Sequence, residues 1–143
     1  MRLNLDLLRQ RAQEIRQALD ILERYRQLSR EEFISNQQAN DAAKYRLIVI
    51  IEAAMSICAH LAARLAHKTP DSYTQCFEIL ASSKIIPRDL ADCLGRMARF
   101  RNLLVHGYGQ VDDSRVWDIL QQDLGDLDAF LSEISSILHR GPQ

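Results

Sequence analysis

Apolar residues repeat at helical spacing along almost the whole chain, and this repeat limits the possible folds more than any other feature. Near the N-terminus the steps are of three and four residues, through Leu5, Leu8, Ala12, Ile15, Leu19 and Leu22. Such spacing places the apolar side chains on one face of an α-helix. Only 5 glycines and 3 prolines occur in 143 residues, too few turn formers for a many-stranded sandwich or barrel. The sequence therefore predicts an all-α fold.

Turn and capping signals divide this pattern into about five helices with short connections. Ser29-Arg30-Glu31-Glu32 has the form of a capping box, Pro87 precedes a further helix, and Asp112 or Asp113 caps the last one. The predicted helices cover approximately 3–27, 30–67, 72–82, 87–107 and 112–138. A bundle of this kind forms one domain over residues 1–143, and we expect frayed ends at 1–2 and 140–143.

The net charge of −1 gives the whole molecule no attraction for nucleic acid or membrane. The charges are unevenly distributed, however, because bases prevail between Lys84 and Arg101 and acids prevail between Asp112 and Glu133. A basic stretch of this kind can bind a polyanion locally. The acidic stretch is either a solvated face or a docking surface for a partner.

The remaining composition favours a cytoplasmic protein without a membrane segment. The most apolar stretch, Leu47–Ala63, is short for a bilayer span and contains Glu52 and His60, so we expect a buried core helix. The N-terminus lacks the apolar run of a signal peptide. Three cysteines without metal-binding spacing suggest reduced, half-buried thiols.

The helix after Pro87 carries a charged residue where an apolar one is expected. Arg101 shares a stripe with Leu90, Leu94, Met97 and Leu104. A guanidinium on an apolar stripe is costly unless it is paired or faces a wet cleft, so Arg101 either reaches an acid on a neighbouring helix or serves a site. An adjoining stripe of small residues predicts that Asn102 also faces a packed surface; it contains Ala91, Gly95, Ala98, Asn102 and His106.

The eight residues from Arg101 to Tyr108 combine a cation, an amide, an imidazole and a phenol. An imidazole gives or takes a proton near neutral pH, although His106 alone would be explained as a helix C-terminal residue. His60 and His67 lack a third residue at ligand spacing, so we expect no metal site there.

This segment closely resembles the HEPN superfamily and, within it, the HepT toxins of bacterial toxin–antitoxin pairs. The family motif has an Arg, a polar residue, three further residues, a His, any residue and a Tyr. Arg101, Asn102, His106 and Tyr108 match each of these positions. The resemblance continues through Tyr45–Ala63, Pro70–Phe100 and the last helix, so that it covers most of the chain.

The resemblance implies a metal-independent RNA endonuclease that needs no cofactor and is neutralised by a minimal nucleotidyltransferase antitoxin, MntA, which transfers AMP to Tyr108. It implies Arg101 and His106 as the catalytic pair, with Asn102 holding the phosphate or orienting the imidazole. Arg96 and Arg99 either add RNA contacts or belong to a solvated face. The rival interpretation is a non-catalytic module of the same fold that binds nucleotide, RNA or a transferase.

The spacing of the catalytic pair bears on the assembly. Arg101 and His106 are five residues apart, which is about 140° around a straight helix, so their side chains diverge within one chain. In HEPN proteins the site lies at a two-fold interface where motifs from two subunits converge. The resemblance therefore implies a homodimer.

Overall fold

The computed structural model describes residues 3–107 and 110–140, so Tyr108, the predicted modification site, lies outside the described residues. Within those ranges the chain forms helices and no strand, which confirms the all-α prediction. The count of five is wrong, because the described residues form seven helices. These are α1 (Leu5–Arg26), α2 (Arg30–Ile34), α3 (Gln37–Leu65), α4 (Tyr73–Ser82), α5 (Arg88–His106), α6 (Asp113–Gln122) and α7 (Leu124–Arg140).

The predicted second helix is broken at Asn36 into α2 and α3. The Asn36 side chain accepts a hydrogen bond from the backbone N–H of Ala39 at 3.0 Å and thereby starts a new helix. The buried Asn40 amide donates to the carbonyl oxygens of Phe33 at 2.7 Å and Asn36 at 2.9 Å, so its side chain joins the end of α2 to the start of α3. The capping box predicted at Ser29 is present at the start of α2.

The predicted last helix is broken at Asp123 into α6 and α7. The backbone N–H of Asp123 donates to the carbonyl of Ile119 and closes α6, and α7 begins at the next residue. The two helices have different neighbours, since α6 packs on α1 and α2 whereas α7 packs on α1 and α5. Trp117 in α6 donates its indole N–H to the carbonyl of Leu28 at 3.2 Å, which fixes α6 against the end of α1.

Helix α3 is the centre of the bundle and packs against α1, α2, α4, α5 and α6. It is long and apolar enough to cross a bilayer by length and composition alone, and 56% of its most apolar window is buried inside the fold. Leu47, Ile50, Ile51, Ile57 and Leu61 of this helix are almost fully buried. The predicted burial of Leu47–Ala63 against other helices is thus confirmed.

A disulfide joins Cys58 of α3 to Cys76 of α4, and both residues are fully buried. The prediction of reduced thiols is wrong for these two and holds for Cys93, which is free and half-buried. The turn between α3 and α4 brings the pair to a Cα–Cα separation of 6.2 Å across 18 residues of sequence. Spacing along the chain gave no sign of this contact.

His60 of α3 has a structural partner rather than a metal. Its Nε2 accepts the backbone N–H of Asn4 at 2.9 Å, immediately before α1. Burial lowers the pKa of His60, and the neighbouring Arg64 lowers it further, so the neutral ring needed for this bond is favoured.

Reduction of the Cys58–Cys76 disulfide should destabilise the fold. Opening a loop of 18 residues restores entropy to the unfolded chain, and we expect the free energy of unfolding to fall by about 3 kcal/mol. Urea denaturation with and without dithiothreitol measures the difference. A Cys93→Ala chain should show the same difference, because Cys93 takes no part in the bond. Coincident unfolding curves under the two conditions would contradict the assignment.

Candidate active site

Helix α5 turns its apolar stripe into the bundle, as its spacing predicts. Leu90, Leu94, Met97 and Leu104 are buried. A Cβ atom placed on Gly95 would lie 3.6 Å from the Thr74 methyl group, so the small stripe faces α4. The helix ends at Gly107, whose backbone N–H donates to the carbonyl of Leu103 at 2.8 Å.

Arg101 lies at the edge of the core with 16% of its side chain exposed. Its Nη2 forms an ion pair with Glu52 Oε1 of α3 at 2.6 Å, and its Nη1 donates to Asn102 Oδ1 at 3.1 Å. The guanidinium carbon lies 5.1 Å from the centroid of the Tyr73 ring in α4. The expectation that Arg101 reaches an acid on a neighbouring helix is therefore confirmed.

His106 and Asn102 are exposed and open onto one groove of about 620 Å³ at the carboxyl end of α5. The prediction that Asn102 faces a packed surface is wrong. Helix α4 begins at Tyr73, beside Arg101, and leaves this face of the last turn of α5 uncovered. The groove is lined by Asn102, Leu103, His106, Gly107, Gln110, Val111, Asp112 and Arg115.

The structure does not bring Arg101 and His106 together within one chain. Arg101 lines a small space inside the bundle beside Leu47 and Leu104, whereas His106 lines the outer groove. Asn102 links the two places, because its side chain accepts from Arg101 and also lines the groove. A reaction that needs both residues at one phosphate therefore requires a second chain or a change of conformation.

The two arginines expected to bind RNA lie in different surroundings. Arg96 donates to Cys93 Sγ at 3.0 Å and lies near Asp123 and Asp126, where α6 ends and α7 begins. Burial raises the pKa of Asp123 and the charge of Asp126 raises it further, while Arg96 acts in the opposite direction. Arg99 is exposed and precedes His106 by seven residues, about two turns, so both lie on one face.

Sequence reasoning gave no role to two charged residues that the structure places at these positions. Glu52 is the partner of Arg101, and its only sequence signal is that it is an acid within the most apolar stretch. Arg115 lines the groove with its guanidinium 5.0 Å from the centroid of the Phe100 ring, and it is the single base in the acidic stretch.

An ion pair fixes the start of α6 beside the groove. Lys44 of α3 is buried, and its Nζ lies 2.9 Å from Asp113 Oδ1. The neighbouring Asp112 caps α6 by accepting from the backbone N–H of Ser114 at 3.0 Å, which holds the pKa of Asp112 below its usual range. Among the described residues no group of three or more potential metal ligands converges.

Comparison with known proteins gives the family. A model described as ribonuclease HepT-like matches residues 15–134. A putative RNase of Archaeoglobus fulgidus is 32% identical over 96 residues, which are 67% of this chain and 72% of that protein. The tRNA nuclease HepT of Aphanizomenon flos-aquae is 27% identical over 122 residues, which are 84% and 82% of the two chains.

Solved structures show the same fold. The tri-AMPylated HEPN toxin of Shewanella oneidensis, in complex with an MNT antitoxin, superposes with a TM-score of 0.84 at 23% identity. The match covers 92% of this chain and 98% of that one. The family model spans most of the sequence, including the segment that carries Arg101 and His106. The chain therefore belongs to the HepT-like ribonuclease family.

Proposed function

We propose that this chain is the RNA endonuclease toxin of a toxin–antitoxin pair. The observation that carries the proposal is the open groove onto which His106 and Asn102 face, with Asn102 hydrogen-bonded to Arg101. Its curated relatives are named as nucleases, which agrees with this chemistry. The folded chain presents the His106 imidazole to solvent, and the Asn102 side chain that lines the same groove accepts a hydrogen bond from Arg101.

The proposed reaction uses the RNA's own 2′-hydroxyl as nucleophile. The 2′-oxygen forms a bond to phosphorus while the bond to the 5′-oxygen breaks, which leaves a 2′,3′-cyclic phosphate. His106 takes or gives the transferred proton, and Arg101 stabilises the charge that gathers on the phosphate oxygens. Asn102 holds the phosphate or orients the imidazole. This scheme needs neither a metal ion nor a cofactor.

A homodimer completes the proposed site. The last turn of α5 exposes two large apolar side chains, Leu103 at 49% and Val105 at 43%. Exposed aliphatic residues beside a groove suit a subunit contact. Such a contact also answers the separation of Arg101 from His106 within one chain, since each site would combine Arg101 of one subunit with His106 of the other.

RNA contacts outside the site are better assigned to Arg99 than to Arg96. Arg99 shares the exposed face of His106, whereas the charge of Arg96 is partly offset by Asp123 and Asp126. We propose that Arg99 contacts an RNA phosphate and that Arg96 contributes less.

The protein is expected to act in the cytoplasm.

The rival function is a non-catalytic module that binds nucleotide, RNA or a transferase. One observation favours it, namely that Arg101 is largely buried and already paired with Glu52. In that case Arg101 and His106 would be structural, and purified protein would not cleave RNA.

The two functions are separated by a His106→Ala variant. We expect cleavage of a mixed-sequence RNA to fall by about 100-fold or more, with unchanged helicity, because His106 is exposed and its proton transfer is lost. The assay contains EDTA, and the matching DNA strand should remain intact. His139→Ala is the matched control, since His139 also lies exposed in the last turn of a helix. Equal cleavage by His106→Ala and wild type would contradict the proposal.

We propose that an MntA-like nucleotidyltransferase neutralises the toxin by transferring AMP to Tyr108, which follows His106 by two residues. The tyrosine oxygen attacks the α-phosphorus of ATP and pyrophosphate leaves. A bulky anion there would repel RNA by charge and volume. The solved toxin of Shewanella oneidensis is AMPylated in complex with its antitoxin, which supports the proposal.

Intact mass after incubation with the transferase and ATP tests this modification. We expect one or more adenylyl increments on the wild-type chain and none on Tyr108→Phe. Tyr45 is 57% exposed and provides an internal comparison, because unspecific transfer would also label it. Peptide mapping that finds the label on Tyr45 instead of Tyr108 would refute the assignment.

A further inference from the structure

The guanidinium of Arg101 is held by groups from three helices. Glu52 of α3 binds Nη2 at 2.6 Å, Asn102 of α5 accepts from Nη1 at 3.1 Å, and the Tyr73 ring of α4 lies 5.1 Å from the guanidinium carbon. Each contact constrains a different part of the group. An ion pair and a hydrogen bond hold the two terminal nitrogens, and the guanidinium carbon lies over the face of the ring.

The donor count shows what remains for a ligand. A guanidinium carries five N–H groups, one on Nε and two on each terminal nitrogen. The Nε group is buried without an acceptor, and Glu52 and Asn102 take one N–H from each terminal nitrogen. Among the described residues no acceptor binds the other two terminal N–H groups. A phosphate that accepts one N–H from Nη1 and one from Nη2 is bound through two of its oxygens.

The pair with Glu52 compensates the burial of the Arg101 charge and also fixes the direction of its guanidinium. The Glu52 side chain is 50% exposed, so water could solvate this carboxylate without Arg101. Arg101 has only 16% of its side chain exposed, and it is the partner whose orientation the contact decides. The contacts hold the long Arg101 side chain in one conformation before any substrate arrives. Substrate binding therefore does not have to carry the entropy cost of ordering this side chain.

We propose that Glu52 and Tyr73 are positioning residues that set the orientation of the Arg101 guanidinium for an RNA phosphate. This inference rests on the proposed ribonuclease function for its effect on the reaction. Its structural part, the immobilisation of Arg101 by Glu52, stands independently of activity. Glu52 acts through Arg101 and makes no contact with the RNA.

Glu52 variants test both parts. Glu52→Ala removes the acceptor, and we expect kcat on a fluorogenic mixed-sequence oligoribonucleotide to fall by about 10-fold to 100-fold while KM changes little. Glu52→Gln keeps an oxygen acceptor and should retain kcat within about threefold. Tyr73→Phe, which keeps the ring face, should behave as wild type, and Tyr73→Leu should lower kcat.

The matched control is Glu78→Ala. Glu78 of α4 forms an interhelical ion pair of similar length, 2.8 Å with Arg88 of α5, and its side chain is 58% exposed. This pair makes no contact with Arg101. The control should leave both kcat and KM unchanged.

A second readout does not depend on cleavage. The Nε–H resonance of Arg101 in a ¹⁵N spectrum should exchange slowly with water in wild type and Glu52→Gln, and lose this protection in Glu52→Ala. If the Nε–H of Arg101 exchanges with water as slowly in Glu52→Ala as in wild type, the positioning role is overturned, whatever the activity. Lost protection with unchanged kcat would overturn its link to the reaction. If wild type cleaves no RNA, the proposed function fails and the resonance alone still decides whether Glu52 holds Arg101.

Discussion

The placement of one guanidinium at the edge of an apolar core is the constraint on which the rest of the site depends. Arg101 occupies a position that the pattern of α5 assigns to an apolar residue, and moving a charge there from water costs several kcal/mol unless it is compensated. Glu52, Asn102 and the Tyr73 ring supply that compensation from α3, α5 and α4. The arrangement of these three helices is therefore coupled to the position of the Arg101 cation, and the Cys58–Cys76 disulfide joins two of them.

The same constraint shapes the groove. The Asn102 side chain accepts a hydrogen bond from Arg101 and also lines the groove together with His106. Arg101 and His106 nevertheless lie on different sides of α5. One chain thus keeps the two residues of the proposed catalytic pair apart, and Leu103 and Val105 at the same helix end are exposed, as the proposed dimer contact would require.

Much of this could be predicted from the sequence, because the informative signals were local. The spacing of α5 made Arg101 an anomaly, and the segment from Arg101 to Tyr108 identified the family. The break at Asn36 was missed because its capping side chain is recognisable only once its hydrogen bond forms. The break at Asp123 was missed because a backbone hydrogen bond closes α6 there and no side chain signals it. Contacts between distant segments were also missed. Nothing in spacing joins Cys58 to Cys76, and the pairing of Glu52 with Arg101 requires that α3 and α5 be packed together.

The most direct test of the account is complementation between two inactive chains. Arg101→Ala and His106→Ala each remove one half of the site, and a mixed dimer retains one intact pair across the interface. We predict that each variant alone is inactive and that a re-equilibrated equal mixture recovers about a quarter of wild-type cleavage, since half of the dimers are mixed and each has one of two sites. A mixture that remains inactive, although native mass spectrometry shows mixed dimers, would contradict a site shared between subunits.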